Sequence, residues 1–157
     1  MRFAAHRETA ASPERVWDVL CDGWKYPSWV VGASRMRAVD PNWPAPGSRI
    51  HHSVGLWPFL LDDHTEVAES VPGRSLTLVA RAKMFGRARI ELHVHPDGEG
   101  SVIDMGENLA ARPASWFPQP LIELAALPRN RECVRRLALL AEGPAAPGPT
   151  GKGSGTR

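Results

Sequence analysis

Ala88, Ile90, Leu92 and Val94 alternate with Arg87, Arg89, Glu91 and His93. A period of two puts the first set on one face of a strand and the second on the other, so this segment predicts a strand with one buried face and one solvated face. A looser alternation opens the chain, Phe3, Ala5 and Thr9 against Arg2, His6 and Glu8, with Arg7 breaking the pattern from the inward parity. Ser12-Pro13-Glu14 then supply an N-cap, a proline for the first turn and an acid against the helix dipole. Val16, Trp17 and Leu20 follow at helical spacing. Asp22-Gly23 stop that helix, and Trp24 to Val30 read as a second short helix broken at Pro27.

From Ser34 to Arg112 short apolar runs are separated by Gly, Pro and Asp punctuation, as in Pro72-Gly73 and Asp97-Gly98-Glu99-Gly100. Such spacing predicts an antiparallel meander with strands near 34–39, 48–57, 62–70, 75–84, 87–95 and 101–111. The period then becomes helical, with Leu121, Leu124, Leu127, Val134, Leu137 and Ala141 on one stripe and Arg129, Glu132, Arg135 and Arg136 largely opposite. A long C-terminal helix lying across the sheet is expected. Pro128 either kinks it near Leu124, freeing a carbonyl that Asn130 on the stripe can meet, or divides it into two helices with a corner. Gly143 to Arg157 hold too few large apolar residues to pack and read as a disordered tail.

At 157 residues and 43% hydrophobic, the chain suits one domain, taken as 1–142. A net charge of +2 provides no footprint for nucleic acid. Cys21 and Cys133 lie on helices read as facing the core, which fits a reduced, cytoplasmic protein, monomeric or homodimeric. The first residues lack the apolar core of a signal peptide and no run is long enough to span a bilayer, so no membrane insertion is expected.

Several segments resemble the SRPBCC superfamily of START-like domains, birch-pollen-allergen-like proteins and polyketide cyclases/dehydrases. They are Ala11 to Trp17, Tyr26-Pro27-Ser28-Trp29, Glu66-Val67-Ala68-Glu69 before Pro72, and Arg129-Asn130-Arg131 leading to Arg135-Arg136-Leu137. The resemblance implies an α+β helix-grip fold, in which a curved antiparallel sheet of about seven strands wraps a long C-terminal helix. It also implies an internal cavity for a small hydrophobic molecule, lipid- or polyketide-like, with no cofactor. Members of the superfamily differ in chemistry, so activity has to be argued from the site.

By parity the cavity lining is expected to include Ile50, His52, Val54, Ala88, Ile90, Leu92, Ile103, Met105 and Glu107, with Leu124 and Leu127 from the helix. Trp29, Trp57 and Trp116 stand at element ends, where a mouth is expected. The same residues also suit an ordinary filled core. Glu107, if inward, must be paired or have its pKa raised, which would suit an acid or base acting with His52; a strand fraying at Gly106 would instead turn it to solvent. Three functions follow: a binding or carrier protein, a cyclase/dehydratase-type enzyme using His52 and Glu107, and a non-catalytic regulatory or structural protein with a filled interior. The pair His93/His95 and the group His51, His52 and His64 lack the spacing of a zinc motif, so no metal is expected. No serine or cysteine has a nucleophile's surroundings. Arg81, Lys83, Arg87 and Arg89, with Phe85 the one aromatic among them, read as a solvated face.

Overall fold

The computed structural model describes residues 5–56, 58–82, 86–109 and 119–144, with side chains described except at positions 55, 56, 59, 82, 109 and 119–126. Strand β1 (Ala5–Thr9) leads to α1 (Pro13–Cys21), a 3₁₀ turn (Gly23–Lys25) and α2 (Tyr26–Trp29). Then come β2 (Ala33–Val39), β3 (Arg49–Leu56), β4 (Phe59–Val71), β5 (Ser75–Ala82), β6 (Gly86–Asp97), β7 (Gly100–Leu109) and α3 (Gln119–Glu142). All seven strands form one antiparallel sheet in the order β1-β7-β6-β5-β4-β3-β2. The expected meander is therefore present, closed at one edge by the first strand. Gly100 lets β1 lie close to the start of β7, since a Cβ there would run into the carbonyl oxygen of Thr9.

Local chemistry explains the helix starts. Ser12 caps α1 by accepting from the Arg15 amide at 3.4 Å, with Pro13 in the first turn. Pro27 does not break the second helix; it occupies the first turn of α2, where a missing amide costs nothing. The alternative of two C-terminal helices is likewise set aside, because α3 is one element of 24 residues with Pro128 inside it. Pro128 is on the exposed side, where water can take up the carbonyl that its ring leaves unbonded.

The core forms where α3 lies on β1 and β7 and against α1. Cys133, Val134, Leu137, Ala138 and Ala141 from α3 are buried with Val16, Val19 and Leu20 of α1. Cys21 corrects the expectation that both cysteines face the core: it is half-buried at the end of α1, and both thiols are free. The end of α3 is tied down from both sides. Arg15 donates to the carbonyls of Ala141 and Gly143, and the Glu142 carboxylate accepts from Thr9 Oγ1 at 2.6 Å and the Ala10 amide at 3.2 Å. The Arg15 bonds satisfy carbonyls that a helix end otherwise leaves open. The tail from residue 145 and the strand ends at 83–84 and 110–111 lie outside the described residues. Among the described residues no helix is long and apolar enough to cross a membrane.

Candidate functional site

Cross-strand partners in an antiparallel sheet project to the same face, so register gives the relief of the inner surface. One row crosses the sheet as Glu107, Ile90, Leu78 and Val67. The adjacent row runs Ala88, Ala80, Thr65 and Ile50. The first row is large at Ile90, Leu78 and Val67, whereas the second is small at Ala88, Ala80 and Thr65 and ends on the fully buried Ile50. Ala88 and Ala80 are only half-buried, whereas Ile90 and Leu78 are buried.

His52 and Tyr26 meet Thr65 at the end of this row of small residues. His52 Nε2 lies 2.9 Å from Thr65 Oγ1, and Tyr26 Oη lies 3.3 Å from the same oxygen. The Tyr26 and His52 rings are 5.3 Å apart, and Trp29 packs edge-on to Tyr26 at 5.3 Å. His52 is 4% exposed, and its Nδ1 is buried without a hydrogen-bond partner. Burial, then the positive charge of Arg37, pushes the His52 pKa down to about 4, so the ring is neutral at pH 7. Burial pushes the Tyr26 phenol up to about 12, which keeps it a hydroxyl. A hydroxyl, a hydroxyl and a neutral imidazole thus make a short hydrogen-bonded chain whose last nitrogen is unmet.

Glu107 stays in the strand and does not turn to solvent: β7 continues past Gly106, and the Glu107 side chain is 8% exposed. Its partner is Arg129, not His52. Arg129 Nη1 lies 3.0 and 2.9 Å from the two carboxylate oxygens, and its Nε donates to the Val31 carbonyl at 3.0 Å. This corrects the reading of Arg129 as a residue opposite the stripe. The Val31 amide in turn donates to Cys133 Sγ at 3.3 Å, so the segment after α2 is fastened to α3 at both its amide and its carbonyl. Asn130 is fully buried, yet neither Nδ2 nor Oδ1 has a partner, so it does not use the carbonyl freed by Pro128.

The remaining candidates divide by position. Ile50, Ile90, Leu92, Ile103 and Met105 are buried in the core, and Val54 and Leu127 are half-buried. Trp29 is 2% exposed and belongs to the core and not to a rim. Trp57 and Trp116 lie outside the described residues, as does the side chain of Leu124. The His93 and His95 rings stack at 6.1 Å and His51 faces His64 at 6.1 Å, but no group of three possible metal ligands occurs among the described residues. Thr65, Ala80 and Tyr26 were missed by sequence reasoning. The inward parity of β4 and β5 would have found Thr65 and Ala80; Tyr26 depends on how α2 packs.

Seven antiparallel strands gripping one terminal helix, with polar groups held between them, define a helix-grip protein. The chain belongs to the family of polyketide cyclase/dehydrase and lipid transport proteins, whose model matches residues 1–142. Among solved structures it is similar to Ara h 8.0201, with 8% identity and a TM-score of 0.67, covering 88% of this chain and 95% of that one. It is also similar to the di-domain ARO/CYC StfQ from the steffimycin biosynthetic pathway, with 11% identity and a TM-score of 0.69, covering 87% of this chain and 49% of that one. A third is protein CV1439 from Chromobacterium violaceum, with 18% identity, a TM-score of 0.64, and 88% and 96% covered. At these identities the likeness is one of fold. No curated protein matches the chain.

Proposed function

We propose that this protein binds a small hydrophobic molecule, lipid- or polyketide-like, between the inner face of the sheet and α3. The observation that carries the reading is the row of small side chains Ala88, Ala80 and Thr65, whose low relief we read as a recess, beside His52 with its buried, unmet Nδ1. An unpaired buried polar atom costs about 1–3 kcal/mol, and a ligand hydroxyl or carbonyl at His52 would recover it. The apolar part of that ligand would lie over the alanines.

The test is saturable, one-site binding of an apolar probe, a naphthalene sulfonate or a fluorescent fatty acid, by the purified protein. Ala88→Trp should fill the recess and remove binding while the far-UV spectrum is kept. Undiminished binding in the folded variant would place the site elsewhere, and an unfolded variant would mean that the interior is already full.

One observation favours a cyclase- or dehydratase-type enzyme in the same place. The chain from Tyr26 through Thr65 to His52 ends in a neutral imidazole able to exchange a proton with a bound substrate. Against it, both Glu107 oxygens are engaged by Arg129, which removes the carboxylate that would have completed an acid–base pair with His52. His52→Gln separates the two: a binder keeps its affinity within about tenfold, whereas general acid–base catalysis would lose about 10²–10⁴-fold in rate.

A further inference from the structure

We propose that a second site, an open groove between β1 and the middle of α3, binds a phosphoryl group. The groove has a volume of about 390 Å³, with His6 and Arg7 on the β1 side and Pro128, Arg131, Glu132, Val134 and Arg135 from α3. It is separate from the recess over Ala88 and shares no residue with the chain from Tyr26 to His52.

Arg7 is the residue that breaks the alternation of β1. Its neighbours on the same parity, Ala5 and Thr9, are buried, yet Arg7 is exposed. Because β1 is an edge strand with only β7 beside it, an inward side chain there can pass under the rim of the sheet and emerge next to α3. It emerges among other guanidiniums. Arg131 and Arg135 stand four residues apart on one helix, a spacing at which like charges repel. Glu132 is the one carboxylate in the groove, and its Oε1 already lies 2.8 Å from Arg136 Nε and 3.4 Å from Arg135 Nη1. Arg7 and Arg131 have no ion-pair partner among the described residues; Arg7 only adds its charge to the field at Glu142, which is hydrogen-bonded to Thr9 and Ala10. His6 is held by Asp104 at 2.7 Å.

Three arginines less one glutamate leave a surplus of two positive charges in the groove. A phosphate monoester carries about −1.5 to −2 at pH 7, and its oxygens match the planar donor forks of arginine. Pro128, which is exposed, supplies an apolar wall for the organic part of the ester. Inward arginines on edge strands can also serve only to prevent pairing with another sheet. That role needs neither Arg131 nor an anion.

The experiment titrates phenyl phosphate into the full chain at constant ionic strength, followed by ³¹P NMR and calorimetry, with benzenesulfonate as a monoanionic control. Saturable binding, at least tenfold weaker in Arg7→Ala/Arg131→Ala and unchanged in the outer-face variant Arg87→Ala, is expected. Arg131→Gln, at an exposed helix position, keeps the test valid if the double variant loses stability, and should weaken binding at least threefold. Sedimentation with phosphatidic acid vesicles but not phosphatidylcholine vesicles, lost in the same variants, would assign the phosphoryl group to a lipid. Phenyl phosphate binding without sedimentation would assign it to a soluble ester. Absence of saturable phenyl phosphate binding, equal affinity for benzenesulfonate, or full retention by both arginine variants would overturn the proposal.

Discussion

The inner face of the sheet has two ends that differ in kind. Where α3 finishes, Val94, Leu92, Ile103, Met105 and Leu76 are all buried, under the Leu137, Ala138 and Ala141 side of the helix and under α1. Toward the hairpin joining β3 and β4, the same face carries Ala88, Ala80 and Val54, half-buried, and Leu61, 44% exposed. Polar side chains gather at this end and its border: Thr65 in the row of Ala88 and Ala80, His52 one row further toward the hairpin, and Glu107 with Arg129 in the next row toward the packed end. One sheet thus provides a close-packed base and an end with half-buried alanines and the unpartnered His52 Nδ1. A protein interior is close-packed by default, so with stability concentrated at one end the other is free to depart from close packing.

The largest effect should come from the packed end. Leu137 is fully buried on α3, and Leu137→Asp would bury an unpaired charge, at a cost of about 4 kcal/mol or more. Chemical denaturation should show little or no folded protein. A variant as stable as the parent would mean that this end is not the base of the fold.

Next is a pH effect from the polar zone. The folded His52 pKa of about 4 is below its ordinary value of 6.5. Between these values the unfolded chain binds the extra proton and the folded chain does not, so stability falls as pH drops from 6.5 to 4 and levels off below. The full change is on the order of 3 kcal/mol. His52→Gln should flatten that part of the profile; an unchanged slope would assign it to another group, with His64, also lowered by burial, the first to test.

The packed end was the part most open to reading from sequence. Strict alternation in β6 fixed its faces, and Ser12-Pro13-Glu14 marked the start of α1 within a residue. Both signals are local, and burial of one apolar face enforces them. The polar zone was harder because its contacts join distant elements. Parity placed Glu107 and His52 inward, but the choice of Arg129 as the partner of Glu107 depends on where α3 crosses β7. A helical wheel, which knows only one helix, put Arg129 on the opposite side. Ala88, a small residue on an inward strand face, is legible from sequence as spare volume, whereas its neighbours Ala80 and Thr65 need the register of three strands at once.

The smallest effect makes the sharpest comparison, because one chemical change is made at both ends. Ala138 is buried on α3 beside Leu137, in the packed base; Ala88 lies beside Ala80 in the proposed recess. Ala138→Leu inserts volume where none is free and should cost about 1–3 kcal/mol through displaced neighbours. Ala88→Leu adds the same atoms where the cross-strand neighbour Ala80 is small and half-buried, and it should change stability by less than about 1 kcal/mol, because new apolar contact offsets the ordering of the side chain. Equilibrium denaturation of the two variants under identical conditions reads the difference directly. Equal losses would mean that the two ends are packed alike and that the recess does not exist in solution. A small loss for Ala88→Leu, together with weaker probe binding, would show that the added side chain occupies space that the ligand needs.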